Sequence, residues 1–378
     1  MVRVEINPQL LLWALERKGS DEVPSRFPKL DDWVEKKIKP TLKQLERFAN
    51  ATNTPIGYFF LEGPPHEEVP IPDFRTPGNR KMKNPSPDLL DTIFLCQQRQ
   101  EWFREYAVLN RMDPLDFVGS VGIGSDVIEV AGRIRDHISF NVEERKGIPT
   151  WEEALRRFIT DVESSGILVM VSSVVKNNNH RKLKLEEFRG FSLVDDLAPL
   201  IFVNGSDSKS AQMFTLAHEL AHIWTGKEGI SDIGAGDTDI DGVEEWCNRC
   251  AAEILVPEKL IMESFENGND LHDEIDRLAR EFKVSTLVIL RRIFDIGGLD
   301  RKSFHDLYEK QYSRLMKITG GQGGDFYRTQ SVRAGKRFTK ALISSTLEGQ
   351  TLYKDAFDLL GFSKLSTFEE LGRRLEVG

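Results

Sequence analysis

The spacing of apolar residues predicts two long helices in the second half of the chain. Residues 211–226 place Phe214, Ala217 and Trp224 near one stripe at helical spacing, and a glycine ends the segment. Residues 242–257 form a second segment of this kind, which stops before a proline. One face of the second segment is small and mostly apolar, which suits it to lie against another helix.

Short apolar and β-branched runs precede the first of these helices. Residues 167–175, 188–194 and 200–204 are predicted to be strands of a small sheet, with turn-forming Asn and Asp residues between them. The last strand leads through residues 205–207 directly into the helix, so its edge could bind an extended peptide as an added strand. A small structural sheet that covers the helix is the alternative, and the two interpretations are compatible.

The first helix carries the candidate chemistry of the chain. His218 and His222 lie four residues apart, so both imidazoles fall on one helix face and can bind one metal ion, while Glu219 can reach a water on that ion. The alternative is a pair of core histidines bonded to the backbone, which would bury two imidazoles at a cost of several kcal/mol. The pattern therefore favours a metal site of the zinc-hydrolase type.

Zinc needs a third protein ligand and keeps a fourth position for water. No third histidine follows at the usual short spacing, so a carboxylate is the next option, and the second helix begins with Glu244 and Glu245. The helical face of Glu245 soon meets Arg249 and Glu253, whereas that of Glu244 is small and apolar. Glu244 is therefore the predicted ligand, and Asn248, one turn along its face, could orient a ligating imidazole.

These assignments predict a reaction. One Zn²⁺ held by His218, His222 and Glu244 would lower the pKa of a bound water toward about 7. Glu219 would then take the proton of this water during attack on a peptide carbonyl and pass it to the leaving amine. The sequence does not identify the donor to the oxyanion, for which the candidates are His180, His272 and Tyr308.

Three segments also resemble the ImmA/IrrE metallopeptidases. They are residues 188–204, residues 215–222 with the H-E-x-x-H pair, and residues 244–257 with their Cys-Asn and Ala-Ala-Glu steps. The resemblance implies a third ligand four residues before the Asn, which is Glu244. It also implies a gluzincin-like fold and the cleavage of a regulatory protein, typically a repressor, in phage, mobile-element or stress-response settings.

The N-terminal residues resemble the repressor-type helix-turn-helix found in longer members of that family. The matching segments are residues 6–17, 26–33, 40–49 and 54–61, and the periodic apolar residues of the third support a helical bundle.

The net charge of this bundle gives little support for DNA binding. Residues 1–63 hold ten Lys and Arg against nine Asp and Glu, a net charge of +1. Pro28, Asp31 and Asp32 occupy the segment where a groove-reading helix would lie, which favours a degenerate domain used for protein contacts over a sequence-reading DNA binder. The candidate DNA or partner contacts are Lys29, Lys36, Lys37, Lys39 and Lys43, for which a solvated face is the alternative.

Glycine and proline clusters set the expected domain boundaries. We predict a helix-turn-helix-like domain at 1–63, a Pro-rich linker at 64–87, a zinc metallopeptidase domain at 88–315 with its core at 150–260, and a small C-terminal module at 325–378. Further helices are expected at 89–109, 125–139, 151–164, 260–265, 275–282 and 285–294. The fold class is therefore α+β and mostly helical, with a small antiparallel or mixed sheet.

The C-terminal module begins after a glycine-rich run at 320–324, which lacks the Gly-Lys-Ser/Thr of a phosphate loop. A local basic cluster follows, which could dock an acidic partner or nucleic acid, although a solvated helix face is the more common reason for such a cluster. Its members are Arg328, Arg333, Lys336, Arg337 and Lys340.

Composition narrows the class of protein. The chain has 378 residues, of which 40% are hydrophobic and 29% charged, and is therefore long enough to form two or three hydrophobic cores. Its net charge of −9 argues against general affinity for nucleic acids or membranes. Three cysteines are too few for a disulfide framework, and Cys247 and Cys250 are expected to be packing residues. Neither a membrane-length apolar run nor a signal-peptide segment is present, so we expect a cytoplasmic protein.

Two functions remain open from the sequence. The first is a zinc endopeptidase that cuts a repressor or the product of a neighbouring gene, which could be a toxin. The second is a non-catalytic transcription regulator, or the antitoxin of a toxin pair, with a dormant metal site.

Overall fold

The computed structural model describes residues 2–19, 22–72, 85–231, 242–266, 268, 270–316 and 332–377. They form two compact units, which are residues 1–70 with 81–94, and residues 71–80 with 95–378. Parts of the predicted linker at 73–84, the glycine-rich run at 320–324 and Arg328 lie outside the described residues. The predicted domain boundaries stay predictions. Within the described residues, no helix is long and apolar enough to cross a membrane.

The first unit is a helical bundle. Its helices are α1 (Pro8–Lys18), α2 (Glu22–Ser25), α3 (Leu30–Val34), α4 (Leu42–Ala51) and a 3₁₀ turn at Ile56–Phe60. Asn7 caps α1, Thr41 and Gln44 form a capping box on α4, and Phe48 is fully buried in the core between them. The segment at the place of a groove-reading helix is only a five-residue helix, α3.

The second unit contains the expected sheet and most of the helices. The helices before the sheet are α5 (Pro87–Leu109, which begins in the first unit), α6 (Val127–His137), α7 (Val142–Lys146) and α8 (Trp151–Ser164). The strands are β1 (Leu168–Ser172), β2 (Gly190–Leu193), β3 (Leu200–Asn204) and β4 (Gly229–Ser231), with α9 (Lys209–Thr225) between β3 and β4. The helices after the sheet are α10 (Gly242–Leu255), α11 (Glu258–Ser264), α12 (Leu271–Phe282), α13 (Thr286–Asp295), α14 (Arg301–Met316), α15 (Lys336–Leu347), α16 (Tyr353–Leu360) and α17 (Leu365–Arg374). The mostly helical α+β prediction is confirmed.

The strand order β1-β3-β2-β4 corrects one expectation. The strand that leads into α9 is β3, which pairs in parallel with β1 and antiparallel with β2. Both of its edges are therefore used, and the prediction that it offers an edge to a peptide is wrong. The outer strands of the described sheet are β1 and β4. Strand β4 was not predicted, because it has only three residues, lies between polar neighbours and so shows no clear strand pattern.

The site helices pack at the centre of this unit. One face of α9 lies on β2 and β3, and its other sides contact α8 and α10, while α10 also packs against α6. Apolar residues from β3, α6, α8, α9 and α10 share one hydrophobic core, to which Leu216, Leu220, Ala251 and Ile254 contribute fully buried side chains. Close packing along these contacts fixes the two helices relative to each other.

The outer edge of β1 is covered by the C-terminal helices. Leu168 donates its N–H to Pro199 in the β3 direction, so the carbonyl of the next residue, Val169, points to the outer edge. Gly335 lies against that carbonyl, since a Cβ at this position (φ +80°) would be 2.7 Å from it. Glu163 accepts the N–H of Arg337 at the start of α15, and burial raises the pKa of this carboxyl to about 7.

Candidate metal centre

Helix α9 presents the two histidines and the glutamate of the motif. The side chain of Ser208 accepts the N–H of Ala211 to start the helix, and Gly226 in the left-handed conformation (φ 68°) ends it. His218, Glu219 and His222 are fully buried. The Nε2 atoms of the two histidines lie 3.0 Å apart, as expected for residues on neighbouring turns of one face.

Helix α10 brings a carboxylate to these nitrogens. The Oε2 atom of Glu244 lies 3.2 Å from Nε2 of His218, and its Oε1 atom lies 3.0 Å from Nε2 of His222. Glu244 is only 5% exposed, whereas Glu245 is exposed. The argument that chose Glu244 from its apolar helical face therefore agrees with the geometry.

Arginine side chains hold the far end of α10. Arg145 donates to the carbonyl of Leu255, and Arg135 donates to the carbonyl of Glu253 at 2.6 Å. The Glu253 side chain forms a buried ion pair with Arg292. These contacts satisfy the last carbonyls of the helix and so fix the position from which Glu244 extends.

The three side chains are electrostatically coupled. Burial by itself would raise the pKa of Glu244, but His218 and His222 outweigh it and lower this pKa to about 2. The carboxylate is therefore ionised throughout the physiological range and faces two imidazole nitrogens.

This donor set fits a zinc ion. His218, His222 and Glu244 are a group of described residues whose ligand atoms all lie within 4.8 Å of one another. Tetrahedral zinc with bonds of about 2.0–2.1 Å would separate neighbouring ligand atoms by about 3.3 Å. The observed separations of 3.0–3.2 Å are close to this value. Two nitrogens and one carboxylate oxygen are also a set that zinc uses in hydrolases.

Strand β2 lies directly over Glu219. A Cβ atom on Gly190 would be 3.1 Å from Oε1 of Glu219 and 2.5 Å from Cγ2 of Thr215, one turn earlier on α9. Only a glycine therefore lets the strand approach the carboxylate this closely. The sequence analysis missed Gly190, although a glycine inside a predicted strand is a recognised signal of close approach.

The other predicted residues are placed as follows. Asn248 is half-buried, and its Oδ1 is a buried acceptor without a hydrogen bond in the described part of the chain, so its orienting role stays a prediction. His180 is exposed, His272 contacts Gln311, and Tyr308 packs against Phe304. A role for any of the three as the oxyanion donor stays a prediction. Cys247 and Cys250 are fully buried, as expected for packing residues.

The lysines proposed as DNA or partner contacts are exposed in the first unit. Lys37 forms an ion pair with Glu35, and Lys39 forms one of 2.8 Å with Glu5, whose pKa it lowers. The carboxylates of Glu35 and Glu5 therefore partly neutralise the positive charges of Lys37 and Lys39. Lys29, Lys36 and Lys43 complete the predicted set, whose function stays a prediction.

Comparison with known proteins gives three matches. Residues 162–294 match the family described as the IrrE N-terminal-like domain, a peptidase family, and these residues include all three candidate metal ligands. Residues 334–374 match a domain of unknown function (DUF8813). The chain is also 34% identical over 91 residues to the radiation response metalloprotease IrrE of Deinococcus radiodurans. That similarity covers 23% of this chain and 28% of the relative's length. The resemblance seen in the sequence is confirmed for the segment 162–294, whereas the helix-turn-helix part of it stays a prediction.

Proposed function

We propose that this chain, whose residues 162–294 belong to the IrrE N-terminal-like peptidase family, is a zinc-dependent endopeptidase. In this proposal it hydrolyses a peptide bond in a partner regulatory protein. The observation that carries the proposal is the convergence of His218, His222 and Glu244, whose donor atoms are buried and 3.0–3.2 Å apart beside a further buried carboxylate.

The three ligands, Glu219 and Gly190 have different roles in the proposed reaction. Zinc held by the three ligands supplies Lewis acidity, which makes a water molecule more acidic and polarises a carbonyl group. Glu219 accepts the proton of the attacking water on its carboxylate and delivers it to the leaving amine nitrogen. Gly190 leaves the space in which this carboxylate can stay close to the ligands.

The sheet supports a polypeptide as substrate. Its β1 edge is covered at Val169 by Gly335, and its other outer strand, β4, pairs with β2 beside Gly190. An extended substrate that adds to β4 would run along the side of the sheet nearest to Glu219, with main-chain hydrogen bonds that do not depend on side-chain identity. The scissile bond would then be selected by the neighbouring side chains of the substrate.

A regulatory protein is the proposed substrate because the resemblance to the ImmA/IrrE metallopeptidases implies one. The matching protein is described as a radiation response metalloprotease, which supports proteolysis that is switched on under particular conditions. The first unit, with Lys29, Lys36 and Lys43 exposed, is proposed to recognise this partner.

The test is co-expression of the chain with the product of its neighbouring gene. Wild type is expected to yield a discrete cleavage product, and Glu219→Gln is expected to yield none while keeping bound zinc, because it removes only the base. Glu245→Gln is the matched control, since this exposed glutamate lies next to the ligand Glu244 on the same helix.

Two results would overturn the proposal. One is a cleavage product that persists in Glu219→Gln. The other is a regulatory effect on the neighbouring gene that is unchanged in Glu219→Gln and accompanied by no cleavage in wild type, which is the result expected of a non-catalytic regulator.

A further inference from the structure

A hairpin beyond the end of β1 forms a second candidate site. Residues 174–184 double back, with Val175 donating to the carbonyl of Arg181 at 2.9 Å and Leu183 donating to the carbonyl of Ser173 at 3.0 Å. The tip is closed by the side chain of Asn178, which accepts the N–H of His180. The backbone contacts make this a defined hairpin.

The hairpin is strongly basic. It contains Lys176, Arg181, Lys182 and Lys184 and no acidic residue, in a chain whose net charge is −9. The three lysines are exposed and Arg181 is half-exposed. Four positive charges within nine residues therefore create a local field opposite in sign to that of the whole molecule.

The C-terminal helices brace the hairpin. The amide of Asn177 donates to the carbonyls of Leu360 and Gly361 at 3.0 and 2.9 Å. Its oxygen accepts a hydrogen bond of 3.0 Å from Arg333. Arg333 is a member of the predicted C-terminal basic cluster, and its guanidinium holds the hairpin through this bond. Arg337 of that cluster is also half-buried, beside Glu163.

The start of α9 extends the basic surface. Ser206 donates to the carbonyl of Leu183 at 3.1 Å, which places the residues before α9 beside the hairpin. Lys209 is exposed at the first turn, and the carboxylate of Asp207 is paired with Arg189. The N-terminal end of a 17-residue helix adds a partial positive charge to the same surface.

We propose that this surface, made by hairpin 174–184 and the start of α9, binds the phosphate backbone of double-stranded nucleic acid. Charged side chains, amides, hydroxyls and a helix N-terminus are the donors that contact phosphates in such complexes, and this surface combines all of them. The exposed residues of the hairpin are all polar, and its apolar Leu183 is buried. An acidic protein partner is the less favoured occupant, because protein interfaces depend on aromatic or apolar anchors.

The proposal does not depend on peptidase activity. Helix α9 carries the basic surface at its start and His218 nine residues later, which corresponds to about 14 Å along the helix axis. Bound nucleic acid would therefore lie beside the metal centre, and a regulator bound to the same duplex would be close to Glu219.

The test is fluorescence anisotropy of the full chain with a labelled DNA duplex of about 20 base pairs. With four phosphate contacts, log K is expected to fall with log salt with a slope of about −3.6, or about 100-fold between 50 and 200 mM salt. Lys182→Glu/Lys184→Glu is expected to weaken binding at least about tenfold at low salt and to reduce the slope by about 2. Lys182→Gln/Lys184→Gln should reduce the slope similarly, and thermal melting shows whether each variant is folded.

Matched variants separate this site from others. Lys259→Glu/Lys302→Glu makes the same charge change at exposed positions on α11 and α14 and is expected to bind DNA like wild type. Glu219→Gln is also expected to bind like wild type, so a failure of the proposed peptidase function would not affect this result.

Three outcomes would overturn the proposal. The first is no binding of the duplex at low salt. The second is binding that the folded hairpin variants retain, or that Lys36→Glu/Lys37→Glu in the first unit abolishes instead. The third is displacement of the duplex by poly-glutamate at equal charge concentration, which would indicate an acidic polypeptide as the natural occupant.

Discussion

Replacing Gly190 with alanine should displace the carboxylate of the base, Glu219, without removing the bound zinc ion. The new Cβ would lie 2.5 Å from Cγ2 of Thr215, 3.0 Å from the carbonyl oxygen of Phe202 and 3.1 Å from Oε1 of Glu219. Carbon atoms in contact prefer separations of about 3.5–4.0 Å, so α9 and β2 must move apart or the carboxylate must turn away.

Two magnitudes follow from these distances. Overpacking of this kind costs about 1–3 kcal/mol of the free energy of unfolding. A displacement of about 1 Å at a catalytic group can reduce the rate about 100-fold. We therefore expect Gly190→Ala to fold, to keep one zinc ion, and to lose about 100-fold in the rate of partner cleavage.

The second variant, Gly190→Ala/Thr215→Ser, makes the test specific. It removes the methyl group that is nearest to the new Cβ but leaves the contacts with Phe202 and Glu219. Stability in urea should largely recover, whereas cleavage should recover much less.

The measurements are urea unfolding, zinc content by mass spectrometry, and cleavage of the co-expressed partner. The visible spectrum of the cobalt-substituted protein as a function of pH adds a readout that needs no substrate, because the ionisation of water at the site senses the position of the Glu219 carboxylate. Wild-type cleavage in a folded, zinc-loaded Gly190→Ala would refute the reasoning. So would full recovery of cleavage in the double variant.

Three further predictions concern the proposed metal ligand Glu244, the buried acid Glu163 and the buried base Arg99. Glu244→Gln should weaken zinc binding by more than about 100-fold, which exceeds the usual effect of replacing a residue that only orients a ligand. Glu245→Gln should leave zinc binding unchanged. Competition with a zinc chelator measures the zinc affinity of both variants. Because burial raises the folded-state pKa of Glu163 from 4.5 to about 7, its contribution to stability is fully present below about pH 4.5 and is lost as the pH rises through 7. Urea unfolding should therefore find Glu163→Gln similar to wild type near pH 5 and more stable by up to about 3 kcal/mol near pH 8, and equal stabilities at both pH values would contradict this. Arg99 donates to the carbonyls of Leu359 and Arg333 and is fully enclosed, so Arg99→Met should cost about 3 kcal/mol in the same assay; a loss below about 1 kcal/mol would show that these bonds contribute little.

The sequence by itself predicted the candidate metal-ligand group and the helices that carry it. Residues four apart on a helix share a face whatever surrounds them, so the pairing of His218 with His222 follows from local geometry alone. The choice of Glu244 over Glu245 has the same origin, because the two belong to different faces of α10 and only one face is apolar. The match of residues 162–294 to a peptidase family agrees with these local signals.

Only the tertiary structure decided which strands lie at the sheet edges and what covers them. The pairing of β3 with both β1 and β2, and the addition of β4, depend on hydrogen-bond partners that are distant in sequence. The contact of Gly190 with Glu219 and the bracing of hairpin 174–184 by the C-terminal helices are likewise long-range. Apolar periodicity reports which face of a segment is buried but not which segment buries it, and that is why these features could not be read from the chain alone.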